Sequence, residues 1–203
     1  MTTLTLAAGR PTLADRVFSR SLATDAVLIA AGAGLTAIAA QVVFPLYPVP
    51  ITGQTAAVLI VGATLGATRG ALSMVLYAAL GLFLPVYSEG SHGIAVFLGP
   101  TGGYIVGFIF AAALTGYLSQ RQWDHKFLGG LAAFVAGTVV TFAFGLPWLA
   151  FALGLDLEQT LQGGLYPFLI GGLVKAVFAA SVMRLVWLAV HRSDQDGKNR
   201  AAL

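Results

Sequence analysis

The sequence predicts an all-α membrane protein: six transmembrane helices with both termini on one side. Three observations carry this. First, 58% of the 203 residues are hydrophobic and only 9% are charged, whereas a soluble domain carries about 25% charged residues. A soluble fold of this length could not clothe its surface with so few charges. Second, the charges leave long gaps. Residues 26–68, 70–88, 90–120 and 127–155 hold 43, 19, 31 and 29 residues without one. A spanning helix takes roughly 20 apolar residues, so the first gap has room for two spans and each of the others for one. Third, the basic residues gather on one side of the spans so defined.

The elements follow in order. Residues 1–22 form a polar N-terminal segment with Arg10, Arg16 and Arg20. The first span covers residues 23–44. Pro45, Pro48 and Pro50 end it, because proline lacks the N–H and clashes with the preceding turn. The second follows Ile51 and stops near Arg69; it is short and rich in Gly, Ala and Thr. The third covers 70–84 and stops at Pro85. Residues 87–101 form a loop, and the fourth span is 102–118. The fifth, 127–153, contains Pro147 as a kink or an end. The sixth is 166–190, and 191–203 is a C-terminal tail. Residues 23–190 thus form one transmembrane domain, expected to hold the substrate site. No cleavable signal peptide is evident before the first long span.

Orientation follows from charge. Ten of the 11 Lys and Arg residues fall before span one, between spans two and three, between spans four and five, or at and beyond the end of span six. The opposite side carries Glu89, Asp156 and Glu158 and no basic residue. Basic loops stay inside, so both termini are expected in the cytoplasm and the protein in the cytoplasmic (inner) membrane, multi-pass. A net charge of +3 arranged this way speaks for topology and a lipid bilayer as partner, with no nucleic acid.

Lys175 is the eleventh basic residue. It lies about nine residues into span six, roughly 14 Å at the helical rise, close to mid-membrane. An ammonium there costs a few kcal/mol and faces a cavity or a partner. It reads as a structural pair with a helix carbonyl or a carboxylate, as a side chain snorkelling to the interface, which its distance from either end disfavours, or as the counter-ion of an anionic ligand. With no carboxylate counted in any span, an internal ion pair is hard to build. Near it in topology, Val-Pro-Ile-Thr-Gly-Gln (Val49–Gln54) offers Thr52 and Gln54, and Leu-Gly-Pro-Thr-Gly-Gly-Tyr (Leu98–Tyr104) offers Thr101 and Tyr104. Each of these alone reads equally well as turn chemistry at a helix end. His92 reads as a loop histidine; no metal cluster surrounds it. Trp123, Trp148 and Trp187 stand near span ends and read as interfacial anchors. Ala26, Ala30 and Gly34, four apart on span one, form a small-residue face suited to close helix packing, and partner docking is the reading their position adds.

The three segments Val-Pro-Ile-Thr-Gly-Gln, Leu-Gly-Pro-Thr-Gly-Gly-Tyr and Phe-Leu-Ile-Gly-Gly-Leu-Val-Lys (Phe168–Lys175), in this order on six spans, resemble the BioY family. These are the substrate-binding (S) components of energy-coupling factor (ECF) transporters for biotin. The resemblance runs from about Ala26 to Val190. It implies an ECF S-component-like bundle that captures biotin from outside and works with a transmembrane coupling protein and two cytoplasmic ATPase subunits. It places Lys175 and Gln54 in the pocket and Ala26 and Ala30 on the coupling face. One departure stands out. The family reads Gly-Asp where this chain has Gly171-Gly172, so the carboxylate expected to meet the ureido ring is missing at Gly172. Glu89 is expected to supply an acceptor in its place. Biotin joins a ureido head, an apolar ring and tail, and a carboxylate; deep pockets for such ligands are mostly apolar with a few placed polar groups.

Other classes fit less well. An S component for another anionic vitamin keeps the same logic. A membrane scaffold gains nothing from Lys175. An intramembrane enzyme needs an acid–base pair, a nucleophile with its base, or metal ligands, and the predicted spans supply none, so no catalytic residue and no metal site are expected. The chain has no cysteine and no Gly-rich loop ending in Lys-Ser or Lys-Thr, hence no ATP site of its own and no expected cofactor.

Overall fold

A computed structural model describes Leu6 and residues 10–201, with side chains described as far as Val190. The chain is mostly helical. It runs α1 (Leu13–Val17), α2 (Leu22–Ala40), a hairpin of β1 (Val43–Phe44) and β2 (Ile51–Thr52), α3 (Gln54–Leu65), α4 (Ala67–Gly81), α5 (Ile94–Leu98), α6 (Gly102–Gln120), α7 (Phe127–Leu153), α8 (Leu157–Gly164) and α9 (Tyr166–Ala201). The hairpin pairs Val43 with Thr52 and Phe44 with Ile51, antiparallel. Four stretches are long and apolar enough to cross a membrane: α2, α6, α7 and the part of the chain from Leu157 to Val190. Helix α3 is apolar but shorter, with 12 residues.

Helix α6 is the central post, packed against α7, α3 and α4; α2 lies on α4, and α9 on α7 and α3. Two apolar clusters fill the bundle. One joins Val58, Val61, Met74, Tyr77, Phe108 and Ala112, the other Leu59, Phe134, Ala176, Ala180, Met183 and Trp187. Helices in lipid associate through tight packing rather than through the hydrophobic effect, and glycines supply the closeness. A Cβ on Gly62 would lie 2.2 Å from the Thr115 hydroxyl, and one on Gly107 2.9 Å from the Thr141 carbonyl.

The second and third spans are tighter than the sequence implies. A single residue, Gly66 at φ 87°, joins α3 to α4, a backbone turn that glycine alone makes without strain. The break therefore falls before Arg69, and α4 covers Ala67–Gly81 rather than 70–84. Arg69 is consequently no loop cation. It is 2% exposed and donates to Asp25 Oδ1 (3.3 Å), Asp15 Oδ1 (2.7 Å), Thr12 Oγ1 (3.2 Å) and the Leu65 carbonyl (3.0 Å). Asp25 lies inside α2, in its first turn, so the expectation of spans without a carboxylate is corrected: a buried one sits where the helix begins. Burial raises the Asp15 carboxyl, but the hydrogen bonds from Arg20, Thr12 and Arg69 outweigh it and hold the group below its ordinary value.

Trp187 is also corrected. It is buried in the second cluster, not at an interface, and its indole donates to Asp124 Oδ2 at 2.7 Å, beside the Ser119 hydroxyl at 2.8 Å. Burial pushes the Asp124 carboxyl up despite these bonds. Pro147 lies within a continuous α7. Three short helices were not foreseen: α1 in the N-terminal segment, α5 within the 87–101 loop and α8 after α7. Helix α8 is started by Asp156, which accepts from the Gln159 amide at 2.8 Å while the Gln159 side chain accepts from the Asp156 amide, a capping box. Helix α9 runs past the expected end at 190 to Ala201. Most of the tail reading, with Arg192, Lys198 and Arg200, lies outside the described side chains.

Candidate functional site

The hairpin, the connection after α4, and the starts of α3, α6 and α9 meet at the end of the bundle away from Arg69. Their side chains enclose a cavity of about 50 Å³ lined by Val49, Thr52, Gln54, Thr55, Tyr87, Ser88, Thr101, Tyr104, Thr141, Phe142, Phe168 and Lys175 among others. The hairpin brings Thr52 and Gln54 to the head of α3. Thr52 Oγ1 donates to Gln54 Oε1 at 2.7 Å. Gln54 Nε2 donates to the Tyr77 hydroxyl at 2.6 Å. The Tyr77 ring meets Tyr87 edge-on with centroids 5.6 Å apart, and the Tyr87 hydroxyl donates to the Ala78 carbonyl. Burial pushes that hydroxyl up to about 12, so Tyr87 is a neutral donor throughout the physiological range.

Lys175 reaches the same wall from α9. Its ammonium donates to the Thr52 carbonyl at 2.5 Å and to Thr55 Oγ1 at 3.2 Å. Both partners are neutral, and no ion pair to Lys175 occurs among the described residues. Across the cavity, Tyr104 donates to the Gly164 carbonyl at 3.0 Å, tying α6 to α8. Phe142 stands edge-on to both Tyr104 and Phe168, and these rings form the apolar wall. The arrangement suits a ligand with an apolar body, a few hydrogen-bonding groups and a negative charge.

Five residues picked from the sequence come together here: Thr52, Gln54, Thr101, Tyr104 and Lys175. Gly172 lies one step away, on a small adjoining cavity of about 20 Å³ with Thr55, Thr138 and Lys175. Glu89 is not on the lining; it is exposed, on a 3-10 turn with φ 58°, and the neighbouring Tyr87 and Ser88 take the wall. Ala26 and Ala30 are exposed on α2 and Gly34 is half-buried, with open space where a Gly34 Cβ would stand. No cluster of three or more metal-ligating side chains exists among the described residues.

The sequence reading missed Thr55, Tyr87, Phe142 and Phe168. Thr55 and Tyr87 carry a usable signal, being polar or amphipathic next to segments already singled out. The two phenylalanines carry none, because phenylalanine is common on every face of a membrane helix. A second hollow, a groove of about 560 Å³ between α7 and α9, is lined by apolar residues and Thr138. It offers no charge for recognition and is not the polar site.

The model of the BioY family matches residues 10–192. Among relatives, the chain is 42% identical over 147 residues to a biotin transporter BioY of Rhizobium etli, covering 68% of this chain and 78% of that one. It is 37% identical over 169 residues to a biotin transporter BioY of Thermotoga maritima, covering 81% and 98%. A crystal structure of the S-component for biotin from an ECF-type ABC transporter superposes with a TM-score of 0.73 at 28% identity, over 81% of this chain and 90% of that one. Matched by the family model over residues 10–192 and by relatives over two thirds or more of its length, the chain belongs to the BioY family.

Proposed function

We propose that this protein captures biotin and takes it up across the cytoplasmic membrane as the substrate-binding component of an ECF-type transporter. The observation that carries the proposal is Lys175. It is a cation near the middle of an apolar helix, on the wall of a cavity shared with Thr52, Gln54, Thr101 and Tyr104, as expected of the counter-ion to a carboxylate. Relatives and the structural neighbour are named for biotin, and biotin supplies that carboxylate together with a ureido group for the hydroxyls and the Gln54 amide.

Orientation supports uptake. Arg16, Arg20, Arg69, Arg121 and Lys126 lie around the helix ends opposite the cavity, so the positive-inside rule puts the termini in the cytoplasm and the cavity toward the outside. On this reading α2, α3, α4, α6, α7 and α9 cross the membrane in the expected order, α3 and α4 as short spans of 12 and 15 residues. The chain has no phosphate-binding loop, so energy comes from partners: a transmembrane coupling protein docked on Ala26, Ala30 and Gly34, and its ATPase subunits. No cofactor is part of this reading.

The test is labelled-biotin binding to the purified protein in nanodiscs, for wild type and Lys175→Ala, against biotin and an uncharged biotin amide. Losing a paired charge should weaken biotin by about tenfold or more, and the amide by less than about threefold. Equal losses for the two ligands rule out the counter-ion role. A wild type that ignores biotin but binds another anionic vitamin moves the chain to that substrate.

A further inference from the structure

The apolar groove between α7 and α9 does not stop at the bundle surface. Phe142 and Phe168 stand on the polar cavity, on the small adjoining cavity and on the groove. Thr55 and Lys175 line the first two, and Thr138 and Gly172 the last two. The three hollows therefore adjoin one another across shared side-chain walls, in a row from the Lys175 ammonium to the outer surface between Val135, Val139, Leu169 and Leu173, all exposed apolar residues on candidate membrane spans. Gly172 stands on the wall shared by the small cavity and the groove. A Cβ there would touch only Thr138 Cγ2, at 3.8 Å, and one on Gly171 would touch nothing within 4 Å.

We infer that this row of hollows is a second ligand compartment, which takes a medium-chain fatty acid with its carboxylate at Lys175 and its alkyl chain in the groove. The inference rests on reading the polar cavity as the biotin site. Charge and polarity select the occupant. An ammonium has three donors; two go to the Thr52 carbonyl and Thr55 Oγ1, which leaves one for an anion. Thr138 is the one polar side chain on the groove among the described residues, and its hydroxyl proton is spent on the Phe134 carbonyl at 2.8 Å. Nothing along the groove rewards a polar chain, and one positive charge stands at its inner end. A single negative head on an unbranched tail matches that pattern. The carboxylate competes with biotin because both need Lys175.

The experiment measures displacement of labelled biotin, in nanodiscs, by decanoate, methyl decanoate and butanoate. Decanoate should act at about tenfold lower concentration than either, since the ester lacks the charge and butanoate the chain. Val139→Trp fills the outer groove, away from the polar cavity. It should leave biotin binding unchanged and weaken decanoate by about tenfold. Ala143→Phe on the same wall replaces it where the tryptophan variant fails to fold. Butanoate as potent as decanoate would show that the groove takes no chain. An equally potent ester would show bilayer partitioning without a head at Lys175, and indifference to both groove variants would put the chain elsewhere; each of these overturns the proposal. Failure of the biotin reading shows separately, as absent labelled-biotin binding before any fatty acid is added. Direct binding of labelled decanoate, sensitive or insensitive to Val139→Trp, then decides the groove by itself.

Discussion

Gln54 spends both ends of its amide within the protein. Its oxygen accepts from Thr52 Oγ1 and its nitrogen donates to Tyr77. One N–H and one lone pair remain for a ligand, in a fixed orientation. Tyr77 is completely buried and holds that orientation without lining the cavity itself. Tyr77→Phe keeps the ring packing on Tyr87 but leaves the Gln54 N–H short of an acceptor. An unsatisfied buried donor costs about 1–3 kcal/mol, so biotin affinity should fall by roughly tenfold in an equilibrium binding assay, and a change below twofold would remove Tyr77 from the site. Glu89 gives the opposite expectation. Exposed and off the lining, it should tolerate Glu89→Gln with biotin affinity within about twofold, as surface changes usually do; a tenfold loss in the same assay would restore its expected role as substitute acceptor. At this scale the sequence was informative wherever a polar group interrupts an apolar run, as at Thr52, Gln54 and Lys175. It was silent on Phe142 and Phe168, whose meaning lies in which cavity they border rather than in their type.

The short helix α1 acts as a strap that packs on α3 and is tied to α4 through Asp15 and Arg69. Thr12 caps it, with its backbone and hydroxyl both donating to Asp15 Oδ2, and Asp15 pairs with Arg20 and Arg69. Arg69 stands in the first turn of α4, where the helix dipole disfavours a cation, so Asp15 and Asp25 are what make its burial tolerable. Removing one partner of a buried ion pair typically costs about 3–5 kcal/mol. Arg69→Ala should therefore destabilise strongly in a thermal unfolding assay in detergent, whereas exposed Arg121→Ala should change little. The same strap predicts a pH effect. The folded-state carboxyl of Asp15 lies below its ordinary value of 3.8. Its contribution is thus complete above that value and is lost as pH falls from there through the lowered folded value. Asp15→Asn should flatten this acid limb of melting temperature against pH, and an unchanged limb would assign it to other carboxylates. The pairing of Arg69 was not legible from the sequence, because its carboxylate partners lie 44 and 54 residues away and nothing local marks them.

The whole molecule separates two tasks along its length, with a ligand cavity at one end and a charged strap at the other, and α2 runs between them with two different faces. Hydropathy made its span legible, as it did α6, α7 and α9, because apolar length survives any packing arrangement. It could not divide the face that packs inward from the face that stays open, since both are built of small residues. Geometry divides them. A Cβ on Gly32 would lie 2.6 Å from Ser73 Oγ and 2.9 Å from Val61 Cγ1, while one on Gly34 would meet nothing within 4 Å. Ala33, Thr36 and Ala40 are buried beside Gly32, whereas Ala26 and Ala30 are exposed. The inward face is committed to the bundle, and the open one is free to receive another helix at close range. Substitution should therefore split by face. Ala30→Trp should leave biotin binding and thermal stability of the isolated chain unchanged but abolish co-purification with the coupling protein, and with it ATP-driven uptake. Gly32→Leu should instead lower stability by about 1–3 kcal/mol or more through overpacking and lose biotin binding along with the fold. Retained co-purification of Ala30→Trp would move the coupling surface off α2, while leaving the cavity and its Lys175 chemistry untouched.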